Sequence, residues 1–363
     1  MRIAIFGIKT LPAFAGADRV AERLVEHLPQ HDYTIYLVRD DATKLTCSDD
    51  RHYVYVPTLK GKHLRAFSFF LLSALHFLVK GRAEVAHVHN SDFGFFCPIL
   101  RLRRSVRVVG TFHGRPYRRD KWGRGAKAFL QVSERVFIRS CDVLTSVAPM
   151  EIAGRDVQHI PNGVDAPEVA EAGNGFDYEG LGLSRGDYVL FACGRLDRTK
   201  GLHVLLEAYR ALPGQTTLLA VGDFSHDAAY SHEIEESARA DDRVVLYRSL
   251  LDRPTLFDVT RNASVFVFPS AYEAMSMMLL EAIACRKVVV CSDIPENVAV
   301  VGEGYPFLFR SSDSASLAEV LTRAKGADDA VRDVYEEIVS RYRWSEIADR
   351  YDSIYRRLAA SSA

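Results

Sequence analysis

At 363 residues the chain has room for two domains of about 100 to 200 residues each, and its 48% apolar content supplies two packed cores, which excludes a disordered or fibrous protein. A formal net charge of -1 conceals an asymmetry: residues 1–165 carry 25 basic and 16 acidic side chains, net +9, and the remainder 21 and 31, net -10. The opening MRIAIFGIK has an apolar core of only a few residues before polar loop residues, so it reads as a buried first strand rather than a signal peptide, and a cytoplasmic protein is expected. Strands are predicted at Arg2–Gly7, Thr34–Val38, Tyr53–Val56, Val85–Val88, Val106–Thr111 and Val143–Val147, with helices between them, notably Asp18–Leu28 and Gly125–Ile138. The apolar run Ala66–Val79, interrupted by His76, is shorter than the roughly 20 residues of a membrane span and reads as a buried helix. After Ile160–Asp165, residues 166–186 are rich in Gly, Ala and Glu without a period and read as a linker between a first domain, 1–165, and a second, 187–340. There the alternation restarts, with strands at Tyr188–Cys193, Thr217–Val221, Val244–Tyr247, Val265–Phe268 and Val288–Cys291. Residues 341–363 are expected to form a closing helix that packs back on the first domain. The pattern predicts an α/β fold: two Rossmann-like domains facing across a cleft, with ligands at the carboxyl ends of the strands.

Two constellations carry chemistry. Strand Tyr188–Cys193 runs into Gly194-Arg195-Leu196-Asp197-Arg198-Thr199-Lys200-Gly201, where glycines permit close backbone approach and Arg195 and Lys200 bring two cations suited to a diphosphate. Taken alone, the segment is equally a solvated basic turn. Strand Val265–Phe268 leads into Pro269-Ser270-Ala271-Tyr272-Glu273 and an apolar helix whose start is predicted near Ser276, with Glu281 about a turn and a half inside it. Glu273 then lies in the loop before the helix, and backbone N–H groups from Met275, Ser276 and Met277 to Met278 face an anion at the helix N-terminus. The competing interpretation makes Glu273 a helix cap and Glu281 a structural ion-pair partner. Six cysteines, at 47, 97, 141, 193, 285 and 291, form no C-x-x-C pair and read as buried thiols in a reducing compartment. Neither a D-x-D triplet nor a compact His, Asp and Glu cluster is present in the sequence, so no metal site is expected.

The run Gly194–Gly201 and the E-x7-E pair Glu273 and Glu281 resemble the signature of retaining, nucleotide-sugar-dependent glycosyltransferases of family four, which have the GT-B fold. Ile160–Asp165 is similar to that family's IPNGVD segment, Ser292–Asn297 to its SDIPEN turn, and Thr111-Phe112-His113-Gly114 to its acceptor-side histidine motif. Lys121-Trp122-Gly123 and Tyr342-Arg343-Trp344 further resemble the bacterial rhamnosyltransferase-like subgroup that builds surface polysaccharides. The chain departs from the family pattern at Ala15-Gly16, where two glycines are usual, at Asp18, where Glu is common, and at Ala274-Met275-Ser276, where a glycine or proline tends to follow the first glutamate.

The resemblance implies transfer of a sugar, with retention, from a nucleotide-diphosphate donor (UDP favoured) to a hydroxyl of a sugar acceptor, in surface polysaccharide or glycolipid synthesis. It assigns Arg195 and Lys200 to the departing diphosphate, Glu281 to the ribose, Glu273 to donor-sugar hydroxyls, Gly16 and Gly194 to close backbone approach, and His113 to the donor sugar or the positive charge at its anomeric carbon. His113 has a rival reading as a core histidine, and His87, His89 and His203 fit that reading better. No cofactor is implied, and the transfer is expected to be metal-independent. From Arg101 to Lys127 stand ten basic residues against one acid, Asp120, among them Arg115, Arg118, Arg119 and Lys121 on the acceptor side. This stretch is either a solvated face or an attractor for an anionic lipid-linked acceptor and the inner membrane surface. Nucleic acid fits poorly, because no recognised binding module accompanies the charge. Glycosylation of a small natural product, a GT-B sugar-nucleotide epimerase and a non-catalytic nucleotide-sugar binder remain alternatives.

Overall fold

The computed structural model describes residues 1–11, 13, 16–39, 52–115, 117, 123–165 and 176–361. They form two units, Met1–Asn162 together with Trp344–Ala363, and Gly163–Arg343.

In the first unit the order is β1 (Arg2–Phe6), α1 (Gly16–His27), β2 (Asp32–Val38), β3 (His52–Val56), α2 (Lys62–Lys80), β4 (Val85–His89), α3 (Cys97–Arg101), β5 (Arg107–Phe112), α4 (Arg124–Ser140), β6 (Val143–Ser146) and β7 (Val157–His159). The strands make one parallel sheet in the order β3-β2-β1-β4-β5-β6-β7. Its central strands are buried almost throughout, as β4 is at all five positions, because helices must cover both faces of a parallel sheet. The direction of strand addition reverses between β1 and β4, which opens a crevice at their carboxyl ends.

The second unit repeats this plan with β8 (Tyr188–Arg195), α5 (Leu202–Arg210), β9 (Thr217–Asp223), α6 (Ala228–Ala238), β10 (Val244–Tyr247), α7 (Arg253–Arg261), β11 (Val265–Phe268), α8 (Met277–Ala284), β12 (Val289–Ser292), α9 (Pro295–Val301), β13 (Leu308–Phe309), α10 (Ser314–Ala324) and α11 (Arg332–Arg341). The sheet order is β10-β9-β8-β11-β12-β13, again parallel, and the reversal falls between β8 and β11. Aspartates start several helices: Asp227, Asp252 and Asp313 accept backbone N–H bonds from Tyr230, Thr255 and Ser316 at 3.1, 2.9 and 2.8 Å, which satisfies donors the first helical turn leaves orphaned. The last helix, α12 (Trp344–Ala360), belongs to the first unit, where Trp344, Tyr351 and Tyr355 are buried and Asp352 pairs with His31 at 2.6 Å.

Three expectations change. Residues 176–186 are not linker: Tyr178 and Leu183 are buried in the core of the second unit, and the Tyr178 hydroxyl donates to Asp258 at 2.8 Å. Their glycine-rich composition hid two anchoring side chains, while 166–175 lie outside the described residues. The run Ala66–Val79 is helical but buried on one side only, with Leu72, Leu75 and Val79 exposed. Strands β7 and β13, three and two residues long, are too short to show a period in the sequence. The cysteines at 97, 141, 193, 285 and 291 are free and buried; Cys47 lies outside the described residues.

Candidate active site

In the second unit both chemical segments end at the crevice where the sheet reverses. Strand β8 delivers Gly194 and Arg195 at its carboxyl end, and a single 3-10 turn, Arg198–Lys200, follows. Asp197 builds this turn by accepting the Thr199 N–H at 3.0 Å on its side chain and the Lys200 N–H at 2.9 Å on its carbonyl. Gly201 then takes φ +72°, and a Cβ there would stand 2.0 Å from the Pro269 carbonyl oxygen. Only glycine lets this turn lie against the segment that leaves β11. The Ala271 N–H donates to the Thr199 carbonyl at 2.7 Å, so the two segments are also joined by backbone.

That seam brings Lys200 and Glu273 together. The Lys200 ammonium donates to Glu273 Oε1 at 2.5 Å, with side chains 23% and 12% exposed. Burial alone would lower the lysine pKa, but the charge and hydrogen bond of Glu273 outweigh it and hold the ammonium above its ordinary value. The same carboxylate oxygen accepts from the Ser270 hydroxyl at 2.9 Å. Ser270 is steadied in turn: its carbonyl accepts from Ser292 Oγ at 2.5 Å, and Asn297 Nδ2 donates to the Ser292 carbonyl and hydroxyl at 3.1 and 3.0 Å. Sequence reasoning missed Ser270, Ser292 and Asn297. The SDIPEN resemblance was the available signal, and its serine and asparagine fix the loop that carries Glu273.

Helix α8 begins at Met277, one residue later than expected, with Ser276 at its N-cap and no side-chain cap hydrogen bond. Glu273 therefore does not cap it, and the first-turn N–H groups carry the partial positive charge that favours an anion. Met275 and Ser276 are half-buried before it and Met277 is buried. Glu281, five residues into α8, is 2% exposed, and Arg253 Nη2 from the start of α7 lies 3.8 Å from its Oε1. Arg253 was not anticipated, since nothing in the sequence links α7 to Glu281. Arg195 is exposed at the end of β8, opposite Asp223 in register. The Asp223 carboxyl is held below its usual range, chiefly by the Ser225 hydroxyl at 2.6 Å and in smaller part by nearby positive charge that includes Arg195.

In the first unit, His113 follows β5, and its Nε2 meets His89 Nδ1 at 3.0 Å. The imidazoles of His87, His89 and His113 form a row with ring centres 4.0 and 5.2 Å apart. His87 Nδ1 and Nε2 lie 2.6 Å from the Tyr355 hydroxyl and 2.7 Å from Thr111 Oγ1, and Thr111 Oγ1 lies 2.6 Å from Thr145 Oγ1. Burial pushes His113 and His87 down to about 3 and His89 well below its ordinary value, so the row is neutral at pH 7. His87 and His89 are core histidines, and His113 sits half-buried at the end of the row. At the neighbouring crevice Gly7 has φ +84°, and a Cβ there would fall 1.9 Å from the His89 carbonyl oxygen. Gly16 opens α1 with nothing within 4 Å of a would-be Cβ. Arg115, half-buried, has its Nε 3.3 Å from the largely buried Glu134 carboxylate. Arg118, Arg119 and Lys121 lie outside the described residues.

Two family models match the chain: Glycosyltransferase Family 4 over residues 14–167, and Glycosyl transferases group 1 over residues 187–325. The chain is a glycosyltransferase of the family-four type. It is 25% identical to the UDP-Gal:alpha-D-GlcNAc-diphosphoundecaprenol alpha-1,3-galactosyltransferase of Escherichia coli over 98% of this chain and 97% of that one. Among solved structures, this glycosyltransferase matches the sucrose-phosphate synthase of Thermosynechococcus elongatus with a TM-score of 0.82 and 20% identity, covering 99% of both chains. It matches Anabaena HepE in complex with UDP and glucose at 0.77 and 17%, covering 98% of this chain and 100% of that one. These likenesses show the GT-B type of fold, with two parallel-sheet α/β units.

Proposed function

We propose that this glycosyltransferase moves a hexosyl group, with retention of configuration, from a UDP-sugar to a hydroxyl of a lipid-linked sugar in surface polysaccharide or glycolipid synthesis. The observation that carries the reading is the Lys200 and Glu273 pair, 2.5 Å apart, beside the uncapped start of α8 at the reversal of the second sheet. The printed name of the Escherichia coli relative, with its UDP-Gal donor and diphosphoundecaprenol-linked acceptor, supports the choice of donor and acceptor class. The likeness to the rhamnosyltransferase-like subgroup rests on the motifs given above.

As the bond from the anomeric carbon to the diphosphate breaks, negative charge grows on the leaving phosphate. Lys200, Arg195 and the N–H groups opening α8 meet that charge, in a setting fixed before reaction. Their combined positive charge supplies what a divalent ion would otherwise contribute, so the transfer is proposed to be metal-independent. Glu273 keeps the ammonium oriented and offers its second oxygen to donor-sugar hydroxyls; Glu281 accepts from the ribose hydroxyls. The acceptor hydroxyl attacks on the face the leaving group departs from, and its proton passes to the departing phosphate oxygen. His113, held neutral, can hydrogen-bond the donor sugar without adding positive charge at the anomeric centre. The test is UDP release from UDP-sugars with and without a lipid-diphosphate-linked sugar acceptor, in excess chelator, for the wild type and Lys200→Ala. Acceptor-stimulated release that survives chelator and falls at least 100-fold in the variant is expected. Equal release in the variant would remove the reading.

A further inference from the structure

We propose that His89 is a positioning residue for the transfer: it donates its Nδ1–H to Nε2 of His113 and so fixes His113 as the tautomer that presents an N–H, at Nδ1, to a hydroxyl oxygen of the donor sugar. The inference rests on the sugar-transfer reading given above and adds to it the direction of one hydrogen bond and the residue that sets it.

Strands β4 and β5 are parallel neighbours, with His89 opposite Thr111. Side chains alternate between the faces of a strand, so His87, His89, Thr111 and His113, the residue after β5, share one face. His89 is held at the end of β4 from several sides. The Asn90 N–H donates to the Thr111 carbonyl at 3.0 Å, which ties the chain leaving β4 to β5, and Gly7 packs so closely that a Cβ there would stand 1.9 Å from the His89 carbonyl oxygen. The His89 ring rests on that of His87, 4.0 Å away between centres. Both nitrogens of His87 are engaged, one by the Tyr355 hydroxyl and one by Thr111 Oγ1, so the support does not turn.

A neutral imidazole carries one N–H and one bare nitrogen, so across the 3.0 Å contact between His89 Nδ1 and His113 Nε2 one ring donates and the other accepts. The far nitrogen of His89 decides which. His89 is fully buried, and its Nε2 has no hydrogen-bond partner among the described residues. Were His113 the donor, the single proton of His89 would stand on that Nε2 as a buried N–H without an acceptor. Folded proteins leave a buried N–H orphaned more rarely than they leave an acceptor under-used. The proton of His89 therefore lies on Nδ1, and His113 Nε2 accepts it. His113 then carries its own proton on Nδ1, which makes no hydrogen bond to the described residues and is the edge left for a ligand. An N–H at that edge calls for an oxygen lone pair, which a sugar hydroxyl supplies. Because the second nitrogen of a histidine sets the tautomer of the first, the donor is in place before the sugar arrives, and no proton has to move on binding.

The test joins a spectrum to a rate. Long-range nitrogen–proton NMR spectra of the full chain with isotope-labelled histidine, at neutral pH and without donor, report the tautomer of His113, whose signals are assigned by their loss in His113→Gln. Wild type is expected to show the Nδ1–H form, and His89→Leu to shift toward the Nε2–H form that a free imidazole favours in water. On the same proteins, kcat/KM for the nucleotide sugar in acceptor-dependent UDP release should fall about tenfold in His89→Leu, the scale of one neutral hydrogen bond, and stay within about threefold of wild type in His89→Asn, whose amide N–H can replace the imidazole Nδ1–H. A merely structural His89 would not change the tautomer of His113. His113 found as the Nε2–H form in wild type, which can be read even if His89→Leu does not fold, would overturn the proposal, as would equal activity of the leucine and asparagine variants. Absence of UDP release by wild type from every UDP-sugar would instead remove the sugar-transfer reading, while the spectrum still decides between the two tautomers.

Discussion

Gly201→Ala should damage both stability and turnover, because the contact between the Lys200 turn and the Glu273 loop has no room for a methyl group. The new Cβ would lie 2.0 Å from the Pro269 carbonyl oxygen in a backbone at φ +72°. The left-handed conformation costs a non-glycine residue about 1 to 2 kcal/mol, and the overlap with backbone adds about 1 to 3 kcal/mol as the segments part. A total near 3 kcal/mol in a unit of about 180 residues lowers its thermal midpoint by roughly 6 to 12 °C. Parting the segments by about 1 Å also displaces Lys200 from Glu273, and misplacement on that scale costs roughly 100-fold in turnover. Gly16→Ala is the control, since nothing lies within 4 Å of its Cβ; its midpoint should stay level or rise slightly. Scanning calorimetry and acceptor-dependent UDP release on both variants give the answer. A Gly201→Ala protein with the wild-type midpoint and turnover would refute the reasoning.

Other consequences follow from the buried groups. His87 and His113 titrate near 3 when folded, and His89 well below its usual value. A depressed histidine pKa leaves stability intact above pH 6.5 and removes it as pH falls from there toward about 3, at roughly 1 kcal/mol per histidine by pH 5.5. Urea midpoints should therefore drop between pH 7.5 and 5.5, and the drop should shrink in His87→Phe; equal midpoints at the two pH values would contradict the buried neutral row. Glu281→Gln keeps the shape beside Arg253 but removes the charge offered to the ribose, so KM for the nucleotide sugar should rise about tenfold, worth about 1.4 kcal/mol, with kcat within a few-fold. A large fall in kcat at unchanged KM would exclude the ribose role.

The parallel-sheet plan could be read from the sequence because its strands are nearly unbroken runs of Val, Ile and Phe bounded by helical periods, as at Val265–Phe268 and Arg2–Phe6. The pairing of Lys200 with Glu273 could be anticipated only in part. Each residue lies five positions beyond the end of a strand, but their adjacency depends on β8 and β11 being neighbours across the reversal, which strand patterns do not state. Ser292 and Asn297 act on Glu273 through Ser270 from another strand and helix, and Arg253 reaches Glu281 from α7, contacts between segments that carry no local period. The outward face of α2 misled in the opposite direction: a continuous apolar run looks the same whether its second side meets protein or not, and only the exposure of Leu72, Leu75 and Val79 separates the two. The pairing of Arg115 with Glu134 could not be read from the sequence, because Glu134 lies nineteen positions away on α4.

The central claim is that the Lys200 ammonium, oriented by Glu273, grips the diphosphate of the donor. Titration calorimetry of UDP and of uridine against wild type and Lys200→Met tests it most directly. Loss of one charge-assisted contact is worth about 1.5 to 3 kcal/mol, so UDP should bind the variant roughly 10- to 100-fold more weakly while uridine binds both proteins alike. Equal UDP affinity in the two proteins, or an equal loss for uridine, would contradict the account.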